Sequence, residues 1–206
     1  MEQKYLYVVF SATPYRMGTL IRAVTGEPYN HVAIAMEEDL RKLYAFARRY
    51  YHTPFYGGFV TEDPCRYHHK GRTATVRLCR IPVTREQWDA LSVRLETMSA
   101  QAEHYLYNHL SAAAAPLHRK VLVRDAYTCA EFAISVLREL GYCFSSRKYY
   151  SIGAIAQALD AYRVYDGQFP APPLDSSPFF APKSLRRTLF LSARDIAALF
   201  WRRSTT

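Results

Sequence analysis

The chain has 206 residues, of which half are hydrophobic, 15% aromatic and 22% charged. This length allows one domain with appendages, and the apolar content excludes an intrinsically disordered protein. No run of 18 or more uncharged apolar residues occurs, which excludes a membrane-spanning helix. The sequence before the first apolar run is short and polar and does not resemble a signal peptide, so the expected compartment is the cytoplasm.

The charge of the chain indicates which partners it could bind, and its cysteine content indicates whether disulfides form. Lys and Arg outnumber Asp and Glu by 27 to 18, and the net charge of +9 permits an anionic partner such as nucleic acid or an anionic membrane. The four cysteines form no C-x-x-C pair and are too few for a disulfide scaffold, so reduced thiols are expected.

A zinc site is a weak alternative, because no second ligand pair occurs at zinc spacing. Its ligands would be Cys65, His68, His69 and Cys79.

The first half of the chain predicts strands around one short helix. Runs rich in β-branched and aromatic residues predict strands over residues 4–10, 31–36, 42–48, 57–60 and 73–81. The second and third of these are joined by an acidic turn and predict an antiparallel hairpin. A helix is expected from about Tyr15 to Val24, because Gly26 and Pro28 would end it.

The second half predicts helices. Thr84 and Gln87 have the spacing of a capping box, and apolar residues follow at helical spacing. Thr128 and Glu131 form a second such box and predict a helix that ends at Gly141. Residues 151–159 predict a further short helix, whereas residues 104–125 show no clear period.

Prolines divide the chain near its end. Five of the fifteen residues 168–182 are proline, which predicts an extended linker across the surface. We therefore expect a core domain over residues 1–167 and, over residues 168–206, a proline-rich linker with a short basic helix that begins at Ser192. The linker and helix are not expected to contribute to the active centre. The tail from residue 183 has six basic residues and one acidic residue. Its apolar residues are expected to pack on the core, and binding to an anionic membrane surface is the alternative.

Cys129 is the residue best suited to nucleophilic chemistry. It follows a capping threonine and occupies the first helical position, where unpaired N–H groups and the helix dipole favour an anion such as a thiolate. Phe132, Ala133 and Val136 follow at +3, +4 and +7, so the sulfur is expected to face the sheet. A catalytic partner should therefore come from a strand.

His31 is the predicted partner of Cys129. It begins a strand and shares a face with Ala33 and Ala35, two small residues over which a helix end can approach closely. An imidazole beside a thiol favours the thiolate and can carry a proton. A structural role stays open for both residues, because a lone cysteine on an apolar helix face is usually a core residue and a lone strand histidine is usually structural.

Two motifs together resemble a known superfamily. The run YNHVAIA at residues 29–35 and the run YTCAEF at residues 127–132 look like the circularly permuted branch of the NlpC/P60 papain-like superfamily. In that branch the histidine strand precedes the cysteine helix, and the resemblance spans about residues 4–159. It implies an α+β papain-like fold with an antiparallel sheet packed against helices. It also implies that Cys129 is the nucleophile and His31 the general base of an amidase, peptidase or acyl-transfer enzyme without metal or organic cofactor.

The chain departs from this pattern at the residue that orients the histidine ring. The superfamily places a polar residue on the strand after the histidine, and the matching residue here is Ala45. Glu62 is our prediction for the orienting group, because a carboxylate would also stabilise the imidazolium. Alternatives are a backbone carbonyl, a water or Tyr44 as the orienting group, an impaired enzyme, or Glu62 as a solvated loop residue.

The predicted function is a cysteine-dependent hydrolase (a thiol protease or amidase) or acyltransferase that acts on an amide or ester of a peptide or lipid. Backbone N–H groups at the start of the cysteine helix, including that of Cys129, are expected to stabilise the oxyanion. The alternative is a basic, non-catalytic module that binds nucleic acid or an anionic surface. The basic and aromatic runs at residues 48–51 and 147–150 resemble single-strand grooves, although such runs are more often solvated faces.

Overall fold

A six-stranded antiparallel sheet organises the protein. A computed structural model describes residues 3–145 and 148–204, so the first two residues, Arg147 of the second basic run and the end of the tail lie outside the described residues. The elements are β1 (Lys4–Ala12), α1 (Arg16–Thr25), β2 (His31–Ala35), β3 (Leu43–Arg48), β4 (Gly57–Glu62), β5 (His68–His69), β6 (Arg72–Thr73), β7 (Thr75–Val83), α2 (Arg85–Ala100), β8 (Leu106–Tyr107), α3 (His109–Ala114), β9 (Ala126–Tyr127), α4 (Cys129–Glu139), α5 (Ile152–Ala158), β10 (Arg163–Gln168) and α6 (Leu185–Ser204).

The strand order is β10-β7-β1-β2-β3-β4, and every neighbouring pair is antiparallel. β5 and β6 form a small antiparallel pair, and β8 and β9 a small parallel pair. The predicted hairpin is confirmed as β2 and β3, and the mixed α+β class is confirmed. No helix within the described ranges combines the length and hydropathy that crossing a bilayer requires.

The sheet is buried on both faces. On the first face, apolar residues of the strands pack against the stripe of α4 predicted from its spacing and against α2 and α5. Large side chains such as Phe132 are fully buried there, which contributes about 2–3 kcal/mol each. On the second face, the small residues Ala33, Ala35 and Ala45 lie in one cluster with Tyr67 and Phe169. Successive strand residues alternate between these two faces.

The end of the chain packs on the sheet. The predicted boundary after residue 167 falls inside β10, a strand that the sequence did not predict and that pairs with β7. Just beyond it, Phe169 stacks on Tyr67 with the ring centroids 4.0 Å apart, and Phe179 is also buried. The linker therefore covers part of the sheet's second face. Whether residues 1–167 fold without it stays a prediction.

The predicted start of the last helix was wrong. Ser192 lies inside α6, which begins at Leu185 and continues for 20 residues. The N-terminal turn is capped by Ser184, whose hydroxyl accepts a hydrogen bond from the N–H of Arg187 at 3.3 Å. Ser192 itself is buried, on the helix face that carries Leu199 into a cluster with β8 and β9. A serine can cap a helix or lie within one, and its tertiary contacts decide which.

Candidate active site

The position of His31 is fixed by the turn that precedes it. The side chain of Asn30 accepts a hydrogen bond from the N–H of Thr13 at 2.9 Å and donates one to its hydroxyl at 2.8 Å. In the sheet, His31 is the register partner of Ser11. These contacts attach the start of β2 to the end of β1, so the imidazole is held at one end of the sheet.

The imidazole of His31 forms a buried pair with the carboxylate of Glu62. The distance from His31 Nε2 to Glu62 Oε2 is 2.9 Å, and the side chains are 12% and 3% exposed. β3 lies between the strands that carry them. Ala45 belongs to β3 and to the cluster on the second face. The contact to the ring that was expected from position 45 is made by Glu62, a carboxylate from the next strand.

Glu62 is held in its ionised form. The hydroxyl of Tyr67 donates a hydrogen bond to Oε2 at 2.8 Å, and Arg66 Nη1 lies 3.5 Å from Oε1. Burial alone would raise the pKa of Glu62, but the charges of His31 and Arg66 and the hydrogen bonds lower it to about 2. Glu62 is thus a buried carboxylate with three partners.

The same pair keeps His31 protonated. Burial by itself lowers the pKa of His31, but the negative charge of Glu62 and the interaction with Cys129 raise it to about 10. Because Nε2 contacts the carboxylate, Nδ1 is the ring nitrogen that remains for the thiol. An imidazolium between a carboxylate and a thiol can stabilise a thiolate and can donate a proton.

Cys129 occupies the first position of α4, as the sequence predicted. Thr128 Oγ1 accepts from the N–H of Glu131 at 3.2 Å, and Glu131 Oε2 accepts from the N–H of Thr128 at 2.7 Å. Glu131 also accepts a hydrogen bond from the hydroxyl of Ser111 at 2.8 Å, which attaches the helix start to α3. Cys129 is 5% exposed. Its thiol is held at a rigid, buried helix start.

Two cavities meet at Cys129. The first, of about 330 Å³, is lined mainly by apolar side chains from α1, α3, α4 and the start of α5. The second, of about 250 Å³, contains His31 and Glu62 together with Arg48 and Arg66. Both are lined by Cys129 and Tyr107. A group bonded to the sulfur can therefore extend into either cavity.

Sequence reasoning missed Tyr67, Arg66 and Tyr107. Arg66 lies four residues after Glu62, a spacing that could have indicated a charge pair. Burial and then the charge of nearby Cys129 raise the pKa of Tyr107, which therefore stays a phenol beside the thiol. Tyr107 lies in the segment without a clear period, and its position next to Cys129 depends on the pairing of β8 with β9.

The residues of the zinc alternative have other contacts. The thiol of Cys65 lies 3.2 Å from the carbonyl oxygen of Leu174, and His68 Nε2 lies 3.0 Å from that of Ala171. Across residues 3–145 and 148–204, no group of three or more His, Cys, Asp and Glu side chains is placed to hold a metal ion. These contacts attach the linker to the core.

No family model, no curated protein and no solved structure matches the chain. The relationship to the permuted NlpC/P60 branch therefore stays a resemblance between two short motifs. The physical geometry around Cys129, His31 and Glu62 has to carry the functional assignment.

Proposed function

We propose that the protein is a papain-like thiol hydrolase or acyltransferase that acts on an amide or ester, as the resemblance to the permuted NlpC/P60 branch implies. The observation that supports this most is the buried contact of 2.9 Å between His31 Nε2 and Glu62 Oε2, in a cavity that Cys129 also lines. A nucleophile, a proton carrier and a group that orients the carrier are the parts that such chemistry needs.

In the proposed reaction the Cys129 thiolate attacks the carbonyl carbon, and a carbon–sulfur bond forms. The N–H groups of Cys129 and Ala130 lie between the two that the capping box uses, those of Thr128 and Glu131, and they stabilise the oxyanion. When the bond to the leaving group breaks, His31 gives that group its proton. A water molecule, or the acceptor in acyl transfer, then loses a proton to His31 and attacks the thioester, which releases the acyl group and restores the thiolate and the protonated His31.

The test is the rate of alkylation by iodoacetamide near neutral pH, with the labelled cysteine identified by mass spectrometry. Cys129 is expected to react faster than the exposed Cys143, although Cys129 itself is buried. Cys79 should react slowest, because burial raises its pKa to about 12. In the His31→Ala variant the labelling of Cys129 should slow by at least about 10-fold, since the imidazolium no longer favours the thiolate.

His31→Gln is a second variant, because its amide can still contact Glu62 and preserve the fold. An unchanged thermal transition shows that the variant is folded. If Cys129 reacts no faster than Cys143 in the unmodified protein and does not respond to either substitution, the proposal fails. The pair would then be core residues, and the basic binding module would be the better interpretation.

A further inference from the structure

Arg48 provides an unneutralised positive charge near the candidate active site. It ends β3, is partly buried and lines the second cavity with Cys129 and His31. Its guanidinium donates a hydrogen bond to the carbonyl of Tyr51 at 2.9 Å and packs over the rings of Tyr15 and Tyr51, each 5.5 Å away. These contacts hold the guanidinium in place but do not neutralise its charge.

The second cavity has an excess of positive charge. In the described part of the chain, Arg48 makes no ion pair with a carboxylate, whereas Arg66 lies 3.5 Å from Glu62. Glu62 is also the partner of His31 and Tyr67. Two guanidinium groups and an imidazolium therefore face one carboxylate and the Cys129 thiolate, which leaves one positive charge in excess. A substrate with an anionic group would balance this charge.

The two cavities can be assigned to the two halves of a substrate. The carbonyl carbon must lie at the Cys129 sulfur, and the leaving group must lie where His31 can give it a proton. Both cavities are lined mainly by apolar side chains, but only the second contains His31. The leaving group therefore belongs in the second cavity, and the acyl group belongs in the first.

We propose that the substrate's leaving group carries an anionic oxyacid group, a carboxylate or a phosphate, which Arg48 binds in the second cavity. This inference rests on the proposed function, because the assignment of the leaving group depends on proton donation by His31. Arg48 thereby becomes a specificity-determining residue. Its planar guanidinium offers paired donors of the kind that bind carboxylates and phosphates.

The test compares alkylating probes that differ only in charge. We would react the protein with 4-(iodoacetamido)butanoate and with the corresponding neutral butanamide, and measure the ratio of the two labelling rates at Cys129 and at the exposed Cys143. In the unmodified protein the ratio at Cys129 should exceed that at Cys143 by about 10-fold, because a charge-assisted hydrogen bond forms. In the Arg48→Gln variant the ratio of labelling rates at Cys129 should fall to the ratio measured at Cys143.

Two further variants make the comparison specific. Arg138→Gln removes an equal charge from the wall of the first cavity and should leave the ratio at Cys129 unchanged. Arg48→Met replaces the guanidinium with an apolar group that can still pack on the rings, and it should lose the preference even if Arg48→Gln is destabilised. N-iodoacetyl phosphoethanolamine separates the two oxyacids, since the faster anionic probe identifies the preferred group.

A ratio at Cys129 that equals the ratio at Cys143, or that survives both neutral Arg48 substitutions, would overturn the inference. The rate ratio depends on the charge near the thiol and not on how reactive the thiol is. Slow labelling of Cys129 that does not change when His31 is substituted would instead overturn the proposed function. The two failures are therefore distinguishable in one experiment.

Discussion

Helices α2 and α4 begin with the same motif in different surroundings. At α2, Thr84 and Gln87 complete a capping box in solvent, and the first helical residue, Arg85, has an exposed side chain. At α4 the first helical residue is the buried Cys129, and the capping side chain of Glu131 also contacts α3. The motif thus determines where a helix begins. Whether that position becomes a reactive site depends on what the sheet places opposite it.

The largest expected effect is on the rate of ester hydrolysis, and it should distinguish substitutions at the first residue of each helix. Cys129→Ala should lower the rate of hydrolysis of 4-nitrophenyl acetate by about 10³-fold or more, because the nucleophile is removed. Arg85→Ala, at the matching position of α2, should leave the rate unchanged. Release of 4-nitrophenol measures the rate, and mass spectrometry detects the acetyl group on Cys129. Equal rates for the two variants would contradict the role of the thiol.

Removal of Glu62, the carboxylate partner of His31, should have the next largest effect. Glu62→Gln removes the charge that raises the pKa of His31, and burial then lowers that pKa. In the unmodified protein, proton donation by His31 should decline only as the pH rises through about 10. In the variant the decline should begin at a lower pH, with a loss of activity of about 100-fold near neutrality.

The profile of kcat/KM against pH measures this shift. Glu86→Gln is the control, because Glu86 lies in the first turn of α2, and its profile should match that of the unmodified protein. An alkaline limb that stays in place in Glu62→Gln would show that Glu62 does not act on the imidazole. A general loss of folding would instead lower the rate at every pH without moving the limb.

The two helix starts also show how much the sequence could predict. Both capping boxes, the hairpin and the position of Cys129 at a helix start were predictable, because each depends on residues within a few positions of one another. Glu62 could be suggested from its chemistry alone. Its contact with His31 crosses β3, so it depends on the strand order and not on local spacing.

The remaining features depend on long-range packing. β10 has exposed residues and no alternating pattern, and it is a strand because it pairs with β7. The segment that contains Tyr107 and Ser111 has no period, since its short elements are fixed by contacts with β9 and α4. The spacing of apolar residues, with a period of 2 in strands and 3.6 in helices, carries no information on such contacts.

The side chains that complete the two capping boxes should differ in their contribution to stability. Glu131→Ala removes hydrogen bonds to Thr128 and Ser111 at a partly buried position, and we expect the free energy of unfolding to fall by about 2–3 kcal/mol. Gln87→Ala removes an exposed bond to Thr84 and should cost about 0.5 kcal/mol. Urea denaturation measures both. Equal losses would mean that the contact with α3 adds nothing to the cap.

The capping threonines themselves should contribute equally to stability but differently to the site. The hydroxyls of Thr84 and Thr128 each accept one hydrogen bond of 3.2 Å from the N–H three residues later. Thr84→Ala and Thr128→Ala should therefore each lower the free energy of unfolding by about 1 kcal/mol. Only the second change should also slow alkylation of Cys129, because a frayed first turn no longer holds the thiol beside His31. Urea denaturation and labelling, carried out on the same two variants, separate the shared structural role of the motif from its role at the site. A Thr128→Ala protein that keeps the full labelling rate would show that the sheet positions the thiol without the cap.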